Sequence, residues 1–70
     1  MTRHAQVLRL LAAVDDVLTR WHAYKADQAR PPDARLGVRP PPVALGSCRR
    51  LQERLLAELA RIEAGAPYPN

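Results

Sequence analysis

The sequence predicts an all-α fold: a two-helix antiparallel hairpin with a Pro/Arg-rich connector, which pairs with a second copy into a dimeric four-helix bundle. Two long stretches have the apolar periodicity of amphipathic helices, and a proline-rich segment separates them. The large apolar residues are mainly Leu and Val, with no Phe, one Trp and two Tyr, which suits helix packing better than a sheet. We therefore expect one domain over 1–70, divided into a helix 2–29, a connector 30–42, a helix 43–64 and a tail 65–70.

The first helix is predicted from a stretch without Gly or Pro that runs from residue 2 to residue 28. Thr2 suits the N-cap, because its hydroxyl can accept a hydrogen bond from a free backbone N–H. Asp16 and Arg20 stand in a favourable i,i+4 order. Four charged residues collect on one side of the helix: Arg9, Asp16, Arg20 and Asp27. The large apolar residues fall opposite them, in an arc of about 140° with coiled-coil-like spacing: Val7, Leu10, Leu11, Val14, Val17, Leu18, Trp21 and Tyr24.

The connector is rich in proline and is predicted to be stiff. Pro31 ends the first helix, because proline lacks the N–H and disfavours helix in the preceding residue. Residues 40–42 are three consecutive prolines, which favour a short extended stretch. Leu36 and Val38 are expected to pin the connector against the helices, with Gly37 allowing a turn between them.

The second helix is predicted to begin either at Pro42, as its first residue, or at Ser47, as its N-cap. Gly65 is predicted to end it in the left-handed C′ position, with a proline two residues later. The apolar stripe of this helix consists of Cys48, Leu51, Leu55, Leu59 and Ile62, with Leu45 and Leu56 beside it.

Self-association is predicted from the small size of the chain and from the width of the apolar stripe on each helix. A 70-residue core rarely stabilises a fold without a disulfide, a metal or a partner, and the chain has one cysteine. Either two hairpins pair, or the second face belongs to a different protein. Trp21 is either the largest core or dimer anchor or, with Tyr24 and Lys25, a hot spot for a foreign partner. The predicted partner or dimer interface is Val7, Leu11, Val14, Leu18, Trp21, Tyr24, Leu51, Leu55, Leu59 and Ile62.

The net charge of +4 is concentrated between residues 30 and 50, which hold five Arg and one Asp. These arginines are the candidate contacts for a polyanion: Arg30, Arg35, Arg39, Arg49 and Arg50. The connector holds no aromatic residue for base stacking, and neither helix fits a helix-turn-helix. A nucleic-acid-associated accessory protein is therefore the second hypothesis.

Catalysis, metal binding and cofactor binding are not predicted. Cys48 and Arg54 have the spacing of a cysteine-phosphatase loop, but that chemistry needs inward-pointing backbone amides, and this segment reads as helix. We expect a buried thiol instead. His4 and His22 lie about 27 Å apart on one helix, too far to share a metal.

The remaining expectation concerns location and role. No apolar run reaches the ~18 residues of a membrane span, and the first residues lead into an amphipathic pattern, so we expect no membrane association and a cytoplasmic protein. The sequence thus predicts a small non-enzymatic protein–protein interaction module, of the regulator or inhibitor type, that pairs with itself and modulates a larger protein.

Overall fold

A computed structural model describes residues 2–65 of the chain, and over that range it contains two long helices and no strand. Helix α1 spans Arg3–Gln28, helix α2 spans Leu45–Gly65, and one 3-10 turn, Pro32–Ala34, lies between them. Arg3 near the start of α1 contacts Glu58 near the end of α2, so the helices run antiparallel. This confirms the all-α hairpin, whereas the pairing of two hairpins stays a prediction.

The two ends of helix α1 are set by its N-cap residue and by the proline that follows it. The Thr2 Oγ1 accepts a hydrogen bond from the Ala5 N–H at 3.1 Å, which satisfies one of the free donors of the first turn. At the other end the chain leaves the helix after Ala29, and Pro31 adopts an extended conformation with φ −57° and ψ 149°. The predicted cap and the predicted stop are both confirmed.

Helix α2 begins at Leu45, between the two predicted starts. Its first hydrogen bond runs from the Cys48 N–H to the Ala44 carbonyl, at 3.1 Å. The preceding carbonyl, that of Val43, accepts the Trp21 indole N–H at 2.8 Å. Neither Pro42 nor Ser47 sets the start, because this contact with α1 fixes the backbone just before the helix.

The predicted end of α2 is also corrected. Gly65 is the last helical residue, and Gly37 is the only described glycine with a positive φ. Gly65 therefore does not adopt the left-handed conformation. The rest of the predicted tail, residues 66–70, lies outside the described residues.

The core lies between the two helices. Its buried apolar side chains are Val7, Val14, Leu18, Cys48 and Leu55. Partly buried side chains border them: Leu11, Val17, Leu45, Leu59 and Ile62. Cys48 is buried and free, as expected for a thiol on a helical apolar stripe. Over residues 2–65 the core thus contains five buried apolar side chains, which is a small core for a folded domain.

The connector folds back over the end of α1 and buries Asp27, which the helical wheel had placed on the polar side. Its side chain is only 2% exposed, and its two carboxylate oxygens accept hydrogen bonds from the N–H groups of Leu36, at 2.6 Å, and Val38, at 3.1 Å. Gly37, between these donors, has φ 77°. This left-handed residue turns the connector around the carboxylate. The polar side of α1 is therefore covered at its last turn by the connector rather than by α2.

Candidate protein-binding surface

Four leucines along the helix pair are left uncovered. Leu8 and Leu10 of α1 are 46% and 38% exposed, and Leu51 and Leu56 of α2 are 42% and 50% exposed. Single exposed leucines are ordinary on a protein surface, whereas contiguous apolar patches indicate binding sites. Their arrangement around the hairpin is therefore what matters.

Two side-chain contacts between α1 and α2 identify the two flanks of the hairpin. Arg3 of α1 pairs with Glu58 of α2 on one side. His4, the next residue of α1, approaches Glu63 of α2 on the other side, with 3.6 Å between Nε2 and Oε2. At 100° per residue, any other side chain can be assigned to a flank by its angle from these residues.

The first flank carries Leu10 and Leu51. Leu10 projects within about 20° of Arg3 on α1, and Leu51 within about 20° of Glu58 on α2. Val17 and Tyr24 follow Leu10 at intervals of seven residues, and both are half-buried. We call these four residues, Leu10, Val17, Tyr24 and Leu51, the Leu10 flank.

The second flank carries Leu8 and Leu56. Leu8 projects within about 40° of His4 on α1, and Leu56 within about 20° of Glu63 on α2. We call this pair the Leu8 flank. Leu8 lies outside the predicted apolar arc of α1, so helical periodicity gives no signal for it.

The predicted interface residues separate into three groups by burial. Four of them lie in the core of the single hairpin: Val7, Val14, Leu18 and Leu55. Five are half-buried: Leu11, Trp21, Tyr24, Leu59 and Ile62. Only Leu51 is exposed. A contact with a second molecule stays a prediction for this set, and its half-buried and exposed members are the ones within reach.

Trp21 connects α1 to the start of α2. Besides its hydrogen bond to the Val43 carbonyl, its ring meets that of Tyr24 edge to face, with centroids 5.6 Å apart and an interplanar angle of 85°. Such pairs stabilise beyond the area they bury. Trp21 thus has a structural role within one chain, and Tyr24 is held in a fixed orientation at the end of the Leu10 flank.

Arg3 and Glu58 close the opposite end of the Leu10 flank. The Arg3 guanidinium donates from Nε and Nη2 to the two carboxylate oxygens of Glu58, with 2.7 Å from Nη2 to Oε1. Its Nη1 donates to the Gln6 side-chain oxygen at 2.8 Å. The hydrogen bond from Arg3 lowers the pKa of Glu58, while partial burial opposes that shift. The pair is a bidentate interaction that joins the start of α1 to α2 near the free ends of the helices.

The environment of Asp27 favours its charged form. The Leu36 N–H contributes most to lowering the pKa of this carboxyl, burial opposes it, and the N–H groups of Val38 and Gly37 and the charge of Arg30 add to the lowering. The sequence held one signal for this role. An acidic residue in the last turn of a helix faces the negative end of the helix dipole, so it needs other donors.

The arginines proposed as polyanion contacts do not share one environment. The Arg35 guanidinium donates to the carbonyls of Gln28 and Arg30, each at 3.2 Å, and so caps the end of α1. Arg50 Nη2 lies 3.4 Å from the Ser47 hydroxyl oxygen, at the start of α2. Arg39 and Arg49 are exposed. Because Arg35 has a structural role, the basic segment offers fewer free guanidinium groups than its composition indicates.

Over residues 2–65, no group of three or more His, Cys, Asp and Glu side chains is arranged to hold a metal ion. In the same range, neither helix is both long enough and apolar enough to cross a bilayer. Cys48 and Arg54 lie within one continuous helix, so the backbone amides between them are used in helical hydrogen bonds. Among the described residues, the exposed leucines of the two flanks resemble a binding surface, because they are apolar and uncovered.

Comparison with protein families, with curated proteins and with solved structures found no match to this chain.

Proposed function

We propose that this chain is a small non-enzymatic interaction module, a helical hairpin that pairs with a second copy and binds and modulates a larger protein in the cytoplasm. The observation that carries the proposal is the row of leucines left uncovered on both flanks of a hairpin with a small core. A free, buried Cys48 agrees with a reducing compartment.

The hairpin has a larger accessible surface than a compact monomer of its length, and this supports the proposal that it binds a partner. Its accessible surface is 5389 Å², about 1,000 Å² more than the ~4,400 Å² of a compact monomer of this length. Its radius of gyration is 16.7 Å, compared with about 11 Å for a compact domain of 70 residues. A standard protein interface buries about 800 Å² on each partner. The excess surface is thus of the size that one such contact would bury.

The roles of the polar groups also favour binding over catalysis. Arg3 and Glu58 join the helices, Asp27 holds the connector, and Arg35 caps α1. Each of these groups already has partners within the fold. Two packed helices also offer little concave space in which a substrate could be enclosed.

The test is capture of the partner by the tagged chain from its source cell, with and without nuclease, compared with two double variants. One is Leu10→Glu with Leu51→Glu, and the other is Leu8→Glu with Leu56→Glu. We expect the wild type to retain one protein in a fixed ratio after nuclease treatment, and we expect at least one double variant to lose it. A charge on an exposed leucine removes an apolar contact while sparing the core of the hairpin.

Arg9→Glu provides the matched control, because it changes the net charge by two units, as each double variant does, on the side of α1 away from α2. It should retain the partner. Capture that disappears with nuclease would instead support the nucleic-acid hypothesis. Equal capture by the wild type and both double variants would contradict the proposal that the leucines bind the partner.

A further inference from the structure

The apolar residues of the Leu10 flank form a second seam on α1. Leu10, Val17 and Tyr24 are seven residues apart, so they drift by only about 20° per step and stay on one side over roughly 21 Å of helix. The core seam of α1, through Val7, Val14 and Leu18, is already covered by α2. Val17 is half-buried and packs against the core from its edge, whereas Leu10 is exposed, so the outer side of this seam is free for a neighbour other than α2.

The second seam carries no unmatched charge along α1. Gln6 and Ala13 border its apolar residues, and Arg20 at its edge pairs with Asp16 of the same helix, with 3.2 Å between Nη2 and Oδ2. A two-fold interface places the same patch of each copy against the other, so unmatched like charges there would repel. By this criterion the α1 part of the seam is self-complementary.

The Leu8 flank lacks this property. Asp15 projects within about 20° of Leu8 on α1, and it is exposed. Two copies meeting through this flank would bring two aspartates towards each other, at a cost in free energy. The charges on α1 therefore favour the Leu10 flank for contact between identical chains.

We infer that the Leu10 flank binds a second copy of this chain, with the two α1 helices packed antiparallel about a two-fold axis near Val17. Val17 is the midpoint of the seam, so Leu10 of one copy meets Tyr24 of the other, and Leu51 borders the contact. The whole hairpin exposes about 1,000 Å² more than a compact monomer of its length, and each partner of a standard interface buries about 800 Å². The inference rests on the proposed interaction function and specifies its self-association surface.

The first experiment measures mass in solution by sedimentation equilibrium over a range of chain concentrations. The wild type should be a dimer, and Leu10→Glu and Leu51→Glu should each weaken dimerisation by about 30-fold or more, because each places an unpaired carboxylate against an apolar contact. Both residues are exposed in the single hairpin, so helical circular dichroism should be retained. Leu8→Glu and Leu56→Glu are the matched controls, equally exposed on the opposite flank, and should remain dimeric.

A second experiment locates the proposed two-fold axis by disulfide cross-linking. Val17→Cys in a Cys48→Ala background should form a disulfide-linked dimer on oxidation, because a residue near the two-fold axis meets its own copy. Leu8→Cys in the same background should not. If the Val17→Cys protein is dimeric but fails to cross-link, or if the dimer is broken by the Leu8 flank variants alone, the inference is overturned.

These outcomes are separable from those for the proposed function. If the wild type stays monomeric at about 200 µM, the inference of a two-fold contact through the Leu10 flank is overturned. If that monomer still retains a protein partner, the binding proposal stands without self-association. A dimer that retains no partner leaves the seam intact and removes partner binding.

Discussion

At the scale of single residues, the Asp27 side chain links the connector to α1. Its carboxylate accepts two backbone N–H groups from a segment nine to eleven residues later in the chain. Hydrogen bonds to a charged acceptor are stronger than those between neutral groups. Because the same carboxylate is nearly inaccessible to solvent, water cannot replace those donors in the folded hairpin.

Asp27→Asn should therefore destabilise the hairpin. The asparagine oxygen can accept one N–H, but its amide group would present hydrogens to the other donor. We expect the thermal midpoint to fall by several degrees Celsius, as measured by circular dichroism. Asp15→Asn, which changes an exposed carboxylate on the same helix, should leave the midpoint nearly unchanged. Equal effects of the two variants would contradict the assigned role of Asp27.

Acid should weaken the hairpin through the same group. The pKa of Asp27 is lowered from its ordinary 3.8, and that of Glu58 from its ordinary 4.5. A carboxyl with a lowered folded pKa stabilises the fold above its unfolded pKa, and this contribution is lost as the pH falls through the folded value. The thermal midpoint should thus begin to fall once the pH is lowered below about 4.5. It should continue to fall until the pH reaches the lowered pKa values of the folded state.

Variants of the two carboxyl groups test this assignment. Asp27→Asn and Glu58→Gln should each lose less stability between pH 7 and pH 3 than the wild type, whereas Asp15→Asn should follow the wild type. Parallel curves for the wild type and all three variants would show that other groups control the acid response.

At the scale of elements, one face of α2 holds the two helices together. Leu55 is 4% exposed in the core, whereas Leu56, the next residue, is half exposed. Leu55→Ala should lower the free energy of unfolding by about 3 kcal/mol, because it removes buried methyl groups and leaves a cavity. Leu56→Ala should change it by less than about 0.5 kcal/mol. Urea denaturation at matched chain concentration measures both, and similar losses would contradict the core described above.

The connector depends on one backbone conformation. Gly37 has φ 77°, and a Cβ there would meet no atom within 4 Å, so the cost of a side chain is conformational rather than steric crowding by neighbours. Gly37→Ala should destabilise by about 1 kcal/mol. Gly46→Ala, the same chemical change inside α2, should stabilise by a few tenths of a kcal/mol. Thermal unfolding should therefore show stability changes of opposite sign for the two variants. This result would separate the effect of the turn at Gly37 from a general effect of Gly→Ala substitution.

What the sequence could predict differs from one element to the next. Periodicity and the Thr2 cap are local, so the two helices, the stop before Pro31 and the Asp16–Arg20 pair could be read from the sequence. The burial of Asp27 and the start of α2 could not. Both depend on the connector folding back on α1, a contact between distant residues that no helical pattern encodes. The candidate surface was only partly predicted, because four of the predicted interface residues were needed for the hairpin's own core.

At the scale of the whole molecule, the hairpin has the geometry of half a bundle. Its helices bury one seam each against the other and expose leucines on both flanks. An elongated two-helix unit exposes more surface than a compact domain does, and the folding free energy of a small core is low. Association, if it occurs as proposed, would therefore add to the stability of the fold.

A hairpin stabilised by association should have a thermal midpoint that depends on concentration. If folding is coupled to pairing through the Leu10 flank, mass action raises the midpoint of the wild type as the chain concentration rises. A hundredfold increase in concentration should raise it by several degrees Celsius, measured by circular dichroism at both concentrations. Leu10→Glu should melt at a lower temperature that no longer varies with concentration, whereas Leu8→Glu should keep the wild-type dependence. A wild-type midpoint that is constant across this range would mean that the single hairpin folds without its second copy.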